Sequence, residues 1–172
     1  MPSELNLVGE LIIGPVQPYE MDAVCGIAQV AWEPIHDHVV HSLGGDLHEV
    51  LSPSWKEAKA RQIRKQFEDR PDWVLVVRDE AVVVAFVTFA IDAEKSVGTI
   101  RNNAVGMDHQ GRGIATAMYQ YVLGLFRGAG LKYALVTTGL DPGHAPARKA
   151  YEKAGFNLRR EDVTYYQRLD QS

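Results

Sequence analysis

Lysine and arginine are absent from the first 55 residues of this 172-residue chain, although that stretch carries eight carboxylates (Glu4, Glu10, Glu20, Asp22, Glu33, Asp37, Asp46 and Glu49). The formal net charge of −4 therefore splits into −8 before residue 56 and +4 after it. A chain of this balance lacks the basic surface that nucleic acid requires, so no nucleic-acid partner is expected. Cysteine is nearly absent too. The single Cys25 excludes an intrachain disulfide and a cysteine-cluster zinc site, and suits a reducing compartment. No apolar run is long enough to cross a bilayer, so no membrane partner is expected. Residues 1–10 carry acids where a signal peptide would have a basic and then an apolar stretch, which gives the expectation of a cytoplasmic protein. Repeats, low-complexity tracts and long linkers are missing as well, and 1–172 reads as one domain.

What is present alternates between helical and strand patterns. Leu11–Val16 is a short apolar run closed by Pro15 and Pro18, a first strand. Met21, Val24, Cys25, Ala28 and Ala31/Trp32 recur at helical spacing over 19–32, with Pro34 expected to end the helix. Residues 33–52, with four histidines and Gly44-Gly45, read as irregular. Ser54, followed three residues later by Glu57, suggests a capping box for a helix running to about Glu68. Valine-rich strands follow at Trp73–Val77 and Ala81–Ile91, with Arg78-Asp79-Glu80 as the turn between them, and another strand at Val97–Val105. A helix over Gly111–Arg127 has one apolar stripe and stops at Gly128 and Gly130. Tyr133–Thr138 is expected as a buried strand, Pro146–Lys153 as a helix ended by Gly155, and Val163–Leu169 as a last strand. The sum is an α/β fold with a mixed sheet.

The chemistry concentrates in Asn102-Asn103-Ala104-Val105-Gly106-Met107-Asp108-His109-Gln110-Gly111-Arg112-Gly113-Ile114-Ala115-Thr116. A strand enters a turn bearing two glycines, and a helix starts there. Unpaired N–H groups and the positive end of the helix dipole suit a phosphate or pyrophosphate, and Arg112 can add a charged contact. A Walker loop would need a lysine after Gly113, and none is there. A dinucleotide fingerprint would need a third glycine where Thr116 stands and an acid on the next strand, which offers Ala134-Leu135-Val136-Thr137-Thr138.

This segment resembles the pyrophosphate loop of the GNAT superfamily of acyl-CoA-dependent N-acyltransferases, [QR]-x-x-G-x-[GA], matched by Gln110, Gly113 and Ala115. A second block, His144-Ala145-Pro146-Ala147-Arg148-Lys149-Ala150-Tyr151-Glu152-Lys153-Ala154-Gly155-Phe156, resembles that family's N-x-x-A-x-x-x-Y-x-x-x-G-F helix. The resemblance implies a central, mostly antiparallel sheet, helices on both faces, and strands 97–105 and 133–138 splayed around the cofactor. It also implies acceptor-side elements over about 1–70 and a cofactor core over about 97–169. Acetyl-CoA would be the co-substrate, with no metal. Ala104 and Val105 would offer backbone groups to the pantetheine and the acetyl carbonyl. Gln110, Gly111, Arg112, Gly113, Ile114, Ala115 and Thr116 would hold the pyrophosphate, and Tyr151 would face the sulfur. His144 stands where the family often has Asn, and its cofactor contact competes with a simple capping role.

Tyr151 has the chemistry for its implied place. The departing thiol has a pKa near 8.5 and a phenol about 10, so the phenol is still protonated at neutral pH and can act as general acid. Simple packing of the helix against the sheet is the competing role. The acceptor ammonium must lose a proton, and Glu33, His36, His38 and Asp92 are the candidates, with Glu33 carried forward as base and His36 and Asn103 as acceptor contacts. The histidines between 36 and 48 match no fixed metal pattern. Cys25, on an apolar stripe, reads as a buried hydrophobe and not as a nucleophile, which favours direct transfer in a ternary complex. The expected activity is transfer of acetyl to a primary amine of a small, cationic acceptor, with a homodimer expected by resemblance. A non-catalytic acyl-CoA-binding or sensing domain is the rival.

Overall fold

The computed structural model describes residues 4–169. The branched runs become the centre of the sheet, where β3 (Val74–Asp79), β4 (Val82–Asp92) and β5 (Val97–Val105) are antiparallel neighbours. β2 (Leu11–Pro15) and β1 (Leu5–Val8) extend it on one side and β6 (Tyr133–Val136) on the other. The order is sequential from β1 to β6, and only the β5–β6 pair is parallel. Val74–Val77 is buried on both faces because helices cover both. On one face, Val24, Ala28 and Ile63 of α1 (Met21–Leu43) and α3 (Trp55–Asp69) pack on Val74, Val76 and Phe86. On the other, Met118, Val122 and Phe126 of α4 (Ile114–Gly128), with Ala150 and Ala154 of α5 (Ala145–Ala154), pack on Leu75, Val77, Val87 and Ile100.

Several sequence expectations are corrected. Pro34 does not end α1, which runs on to Leu43. Proline removes one helical bond, but contacts on the far side, including His36 stacked on Trp55, hold the continuation. Residues 33–52 are therefore mostly helical, with α2 (Gly45–Leu51) beginning after Gly44, whose φ of 88° breaks the helix. Ser54 takes a left-handed conformation (φ 47°) and makes no side-chain cap, so the capping box is absent. Arg78 and Asp79 stay in β3, because Arg78 is pinned to Glu20, and the turn falls on Glu80 (φ 52°) and Ala81. β1 was not foreseen, being four largely exposed residues with no clear alternation. β6 is shorter than expected and is an exposed edge, with Tyr133 at 65% and Leu135 at 50% accessible. Residues 163–169 form no strand and lie exposed, so β6 has no outer neighbour among the described residues.

Two irregularities create the site. β5 pairs with β6 only from Val97–Ile100 to Tyr133–Val136, and beyond that the strands part. At the same level Arg101 and Asn102 both oppose Thr88, since Ile100 pairs with Phe89 and Asn103 with Val87. This bulge turns Asn102 toward α3 and Asn103 toward α4 and α5.

Candidate active site

Asn103 is the centre of a polar cluster in an otherwise apolar layer. Its Oδ1 accepts from Tyr119 Oη at 2.5 Å and from Tyr151 Oη at 3.3 Å, while its Nδ2 donates to Tyr151 Oη at 3.0 Å and to Arg101 O at 3.0 Å. The two tyrosine rings lie 4.6 Å apart, and both side chains are buried. Burial pushes the Tyr119 hydroxyl well above the usual phenol range, with Tyr151 adding to the effect. Burial also raises the Tyr151 hydroxyl, partly offset by its bonds to Asn103 and Tyr119. Both phenols are thus proton holders at neutral pH, and the cluster can deliver a proton but not take one. Tyr119 was missed by sequence reasoning. The available signal was a tyrosine flanking α4's apolar stripe, whose hydroxyl needs a partner once buried.

The turn after β5 is an open cradle. Gly111 (φ 76°) and Gly113 (φ 80°) hold conformations that side chains disfavour, and a Cβ on either would meet nothing within 4 Å. Ala117 N–H to Gly113 O is the bond that opens the helix, which leaves the N–H groups of Ile114, Ala115 and Thr116 as its terminal donors. No acid occupies the first turn, so the dipole end is uncompensated. The Ile114 side chain is buried in the core and anchors this end. Gln110 Nε2 donates to Val105 O at 3.1 Å, tying the turn back to the strand. Asp79 lies 4.0 Å from Arg112 and 3.5 Å from His109.

Where β6 leaves the sheet, Thr138 Oγ1 is buried and has no hydrogen-bond partner. Arg148 donates to Gly139 O at 2.6 Å and to Asp141 O at 2.9 Å. Asp141 accepts from the Nδ1 of His144 at 2.5 Å and from its backbone N–H at 3.2 Å. Burial pushes the Asp141 carboxyl up, but the His144 bonds outweigh it and hold it below the usual range. The orphan hydroxyl, the parted edges of β5 and β6 and the open glycine turn together fit a diphosphate joined to an amide-bearing arm.

The opposite face gives a mixed result for the acceptor candidates. Glu33 is half-exposed and paired with Lys56 Nζ at 2.7 Å. Asp92 is bonded to Lys95, and His38 lies 3.4 Å from Ser42 Oγ. His36 is stacked on Trp55 at 3.9 Å and bonded through Nδ1 to Nε2 of the buried His48 at 2.9 Å. Burial, and next His48 and Lys59, hold the His36 imidazole below its ordinary pKa. Among the described residues no three His, Cys, Asp or Glu converge on a metal position. Cys25 is buried, and burial raises its thiol. No helix among the described residues is long and apolar enough to cross a membrane.

A family model described as Acetyltransferase (GNAT) family matches residues 37–156. The fold is shared with solved structures of low identity. The PaiA N-acetyltransferase from Thermoplasma acidophilum, in complex with coenzyme A, has a TM-score of 0.72 at 11% identity, covering 90% of this chain and 94% of that one. A predicted acetyltransferase with acetyl-CoA from Clostridium acetobutylicum has a TM-score of 0.61 at 13% identity, over 91% and 96%. AAC(6')-Iy, in complex with the bisubstrate analog CoA-S-monomethyl-acetylneamine, has a TM-score of 0.59 at 15% identity, over 93% and 99%. Among curated proteins, none matches by sequence.

Proposed function

The chain belongs to the Acetyltransferase (GNAT) family, and on that premise we propose that it moves an acetyl group from acetyl-CoA to the primary amine of a small, cationic acceptor by direct transfer in a ternary complex. The observation that carries this reading is the buried Tyr151 hydroxyl held by Asn103 beside the parted strands. Acetyl-CoA supplies the acetyl thioester. Backbone donors of Gly111 to Thr116 take its diphosphate, with Arg112 adding charge, and the ring of His144, fixed through Nδ1 by Asp141, presents Nε2 to its arm. Backbone N–H groups alternate in direction along a strand, and since those of Asn102 and Gly106 bond toward β4, as Ala104's then does, the N–H of Val105 faces the side that β6 has left and is available to polarise the acetyl carbonyl. Tyr151 donates its proton to the departing sulfur, and Asn103 orients that hydroxyl.

The acceptor approaches from the acid-rich α1 and α2 side, with His36 as a contact. Glu33 takes the ammonium proton, which requires its ion pair with Lys56 to open. A cytoplasmic location belongs to the same reading and is supported by the single free cysteine. So does a homodimer, supported by the open edge of β6 and the exposed Val163, Tyr165 and Leu169. A solution mass of one chain at micromolar concentration would contradict the dimer.

The mechanistic test is Tyr151→Phe. Loss of one proton donor lowers kcat by about 100-fold while acetyl-CoA affinity changes less than about threefold. Unchanged kcat would remove Tyr151 as acid. Acetyl-CoA binding with no transfer to any amine, in the unmodified chain, would favour the sensing domain instead.

A further inference from the structure

Of the five basic residues of α3, Lys56 pairs with Glu33, Arg64 with Asp22 and Lys65 with Asp69, while Arg61 is exposed to solvent. Lys59 faces the sheet instead, and among the described residues no carboxylate reaches it. Its Nζ donates to Asn102 Oδ1 at 3.1 Å and to Gln62 Oε1 at 3.0 Å, and lies 4.5 Å from the centre of the Trp32 ring. Asn102 is buried and is one of the two bulge residues, adjacent to Asn103. A half-buried ammonium without a counter-ion among the described residues therefore sits against the bulge whose next residue, Asn103, bonds Tyr151 on the other face of the sheet.

We propose that Lys59 is the anchor for an anionic group of the acceptor, so that the acceptor carries a carboxylate beside its primary amine. Trp32 and the bulge cover one side of this position, and a half-buried cation held only by neutral amides and a ring gains from an incoming anion. Burial also depresses the Lys59 ammonium pKa, which an anionic partner would restore. The imidazoles of His36 and His48 continue the same wall as polar groups without fixed negative charge. The acids of the first 55 residues serve the other end of the molecule, drawing in the ammonium. An acceptor of this kind is a small amino acid, and a basic one also satisfies the cationic acceptor on which this inference rests.

The experiment compares acceptors with and without the carboxylate: L-lysine with 1,5-diaminopentane, and L-phenylalanine with 2-phenylethylamine. Full-length protein and acetyl-CoA are used throughout, and free thiol is the readout. The unmodified protein prefers the carboxylate-bearing member of a pair by at least about tenfold in kcat/KM. Lys59→Met removes that preference through KM of the amino acid, leaving the decarboxylated amine within about twofold, and Lys59→Arg keeps part of it. Stabilisation of Lys59→Met by acetyl-CoA on heating, equal to that of the parent, verifies its fold. Equal or better use of the decarboxylated amines by the parent would overturn the proposal. So would a Lys59→Met defect that falls equally on both members of a pair, which is the signature of a structural lysine. Acetylation of other primary amines but of none of these four would likewise overturn the proposal, whereas failure of every amine with acetyl-CoA bound would overturn the transferase reading itself.

Discussion

The two faces of the sheet are held by different forces. α4 and α5 rest on an apolar layer that includes Leu75 and Phe126 and is interrupted by the Tyr119–Asn103–Tyr151 cluster. The α1 and α3 face has its own apolar layer but is fastened at its margins by charge. Arg78 donates to Glu20 Oε1 at 2.6 Å and Oε2 at 2.7 Å, and Arg64 and Lys56 reach across to Asp22 and Glu33. In the proposed reading the cofactor side works mainly through backbone, which any sequence with the right glycines presents, and the acceptor side through side chains, which can be exchanged without disturbing the cradle. On that reading one face serves a constant ligand and the other a variable one.

The largest expected effect separates the two kinds of fastening. Glu20 is 5% accessible and bonds Arg78 twice, so Glu20→Gln leaves a buried guanidinium poorly compensated and costs about 3–5 kcal/mol in denaturant unfolding. Burial pushes the Glu20 carboxyl up, but the bonds from Arg78 and the Gln17 N–H outweigh it, and its folded-state pKa lies below 4.5. A depressed carboxylate stabilises the fold above its unfolded value and loses that contribution as pH falls through the folded one. Acid unfolding below about pH 4.5 is therefore steeper in the parent than in Glu20→Gln. An unchanged acid limb would break the comparison.

Gly113→Val addresses the opposite face. The left-handed φ strains a branched residue and its Cβ enters the open cradle, so acetyl-CoA binding by calorimetry weakens roughly 100-fold while acceptor selectivity is kept. Retained affinity would mean that the diphosphate lies elsewhere. Glu33→Gln is the smallest and sharpens the acceptor side. In its proposed role as proton acceptor Glu33 would contribute about tenfold to kcat at neutral pH, and restoration of that rate at higher pH is expected. A loss in thermal stability with no loss in kcat would leave Glu33 as only an exposed partner of Lys56.

The face bearing α4 and α5 was the more legible in outline. Gly111 and Gly113 sit in a fixed spacing because one strand, one turn and one helix carry them locally, whereas Tyr151, on α5, stood out only through the resemblance of the block from His144 to Phe156. Tyr119 and the bulge at Arg101-Asn102 escaped because their roles depend on β4 and α5, which are distant in sequence. On the acceptor face Pro34 misled, since local chemistry argues for a stop while packing across to Trp55 sustains the helix. Lys59 was invisible for the same reason: its significance is the missing carboxylate, a property of the fold and not of α3. The strand expected at 163–169 has the alternation of an edge strand, but alternation alone names no pairing partner.

The central claim is that this chain transfers acetyl to an amine. Its most direct test is free-thiol release from acetyl-CoA by the full-length protein, with and without a small primary amine, and with the product identified by mass. Thiol release that depends on the amine is expected, matched by one added acetyl group per thiol. Tight acetyl-CoA binding with no amine-dependent thiol would contradict it.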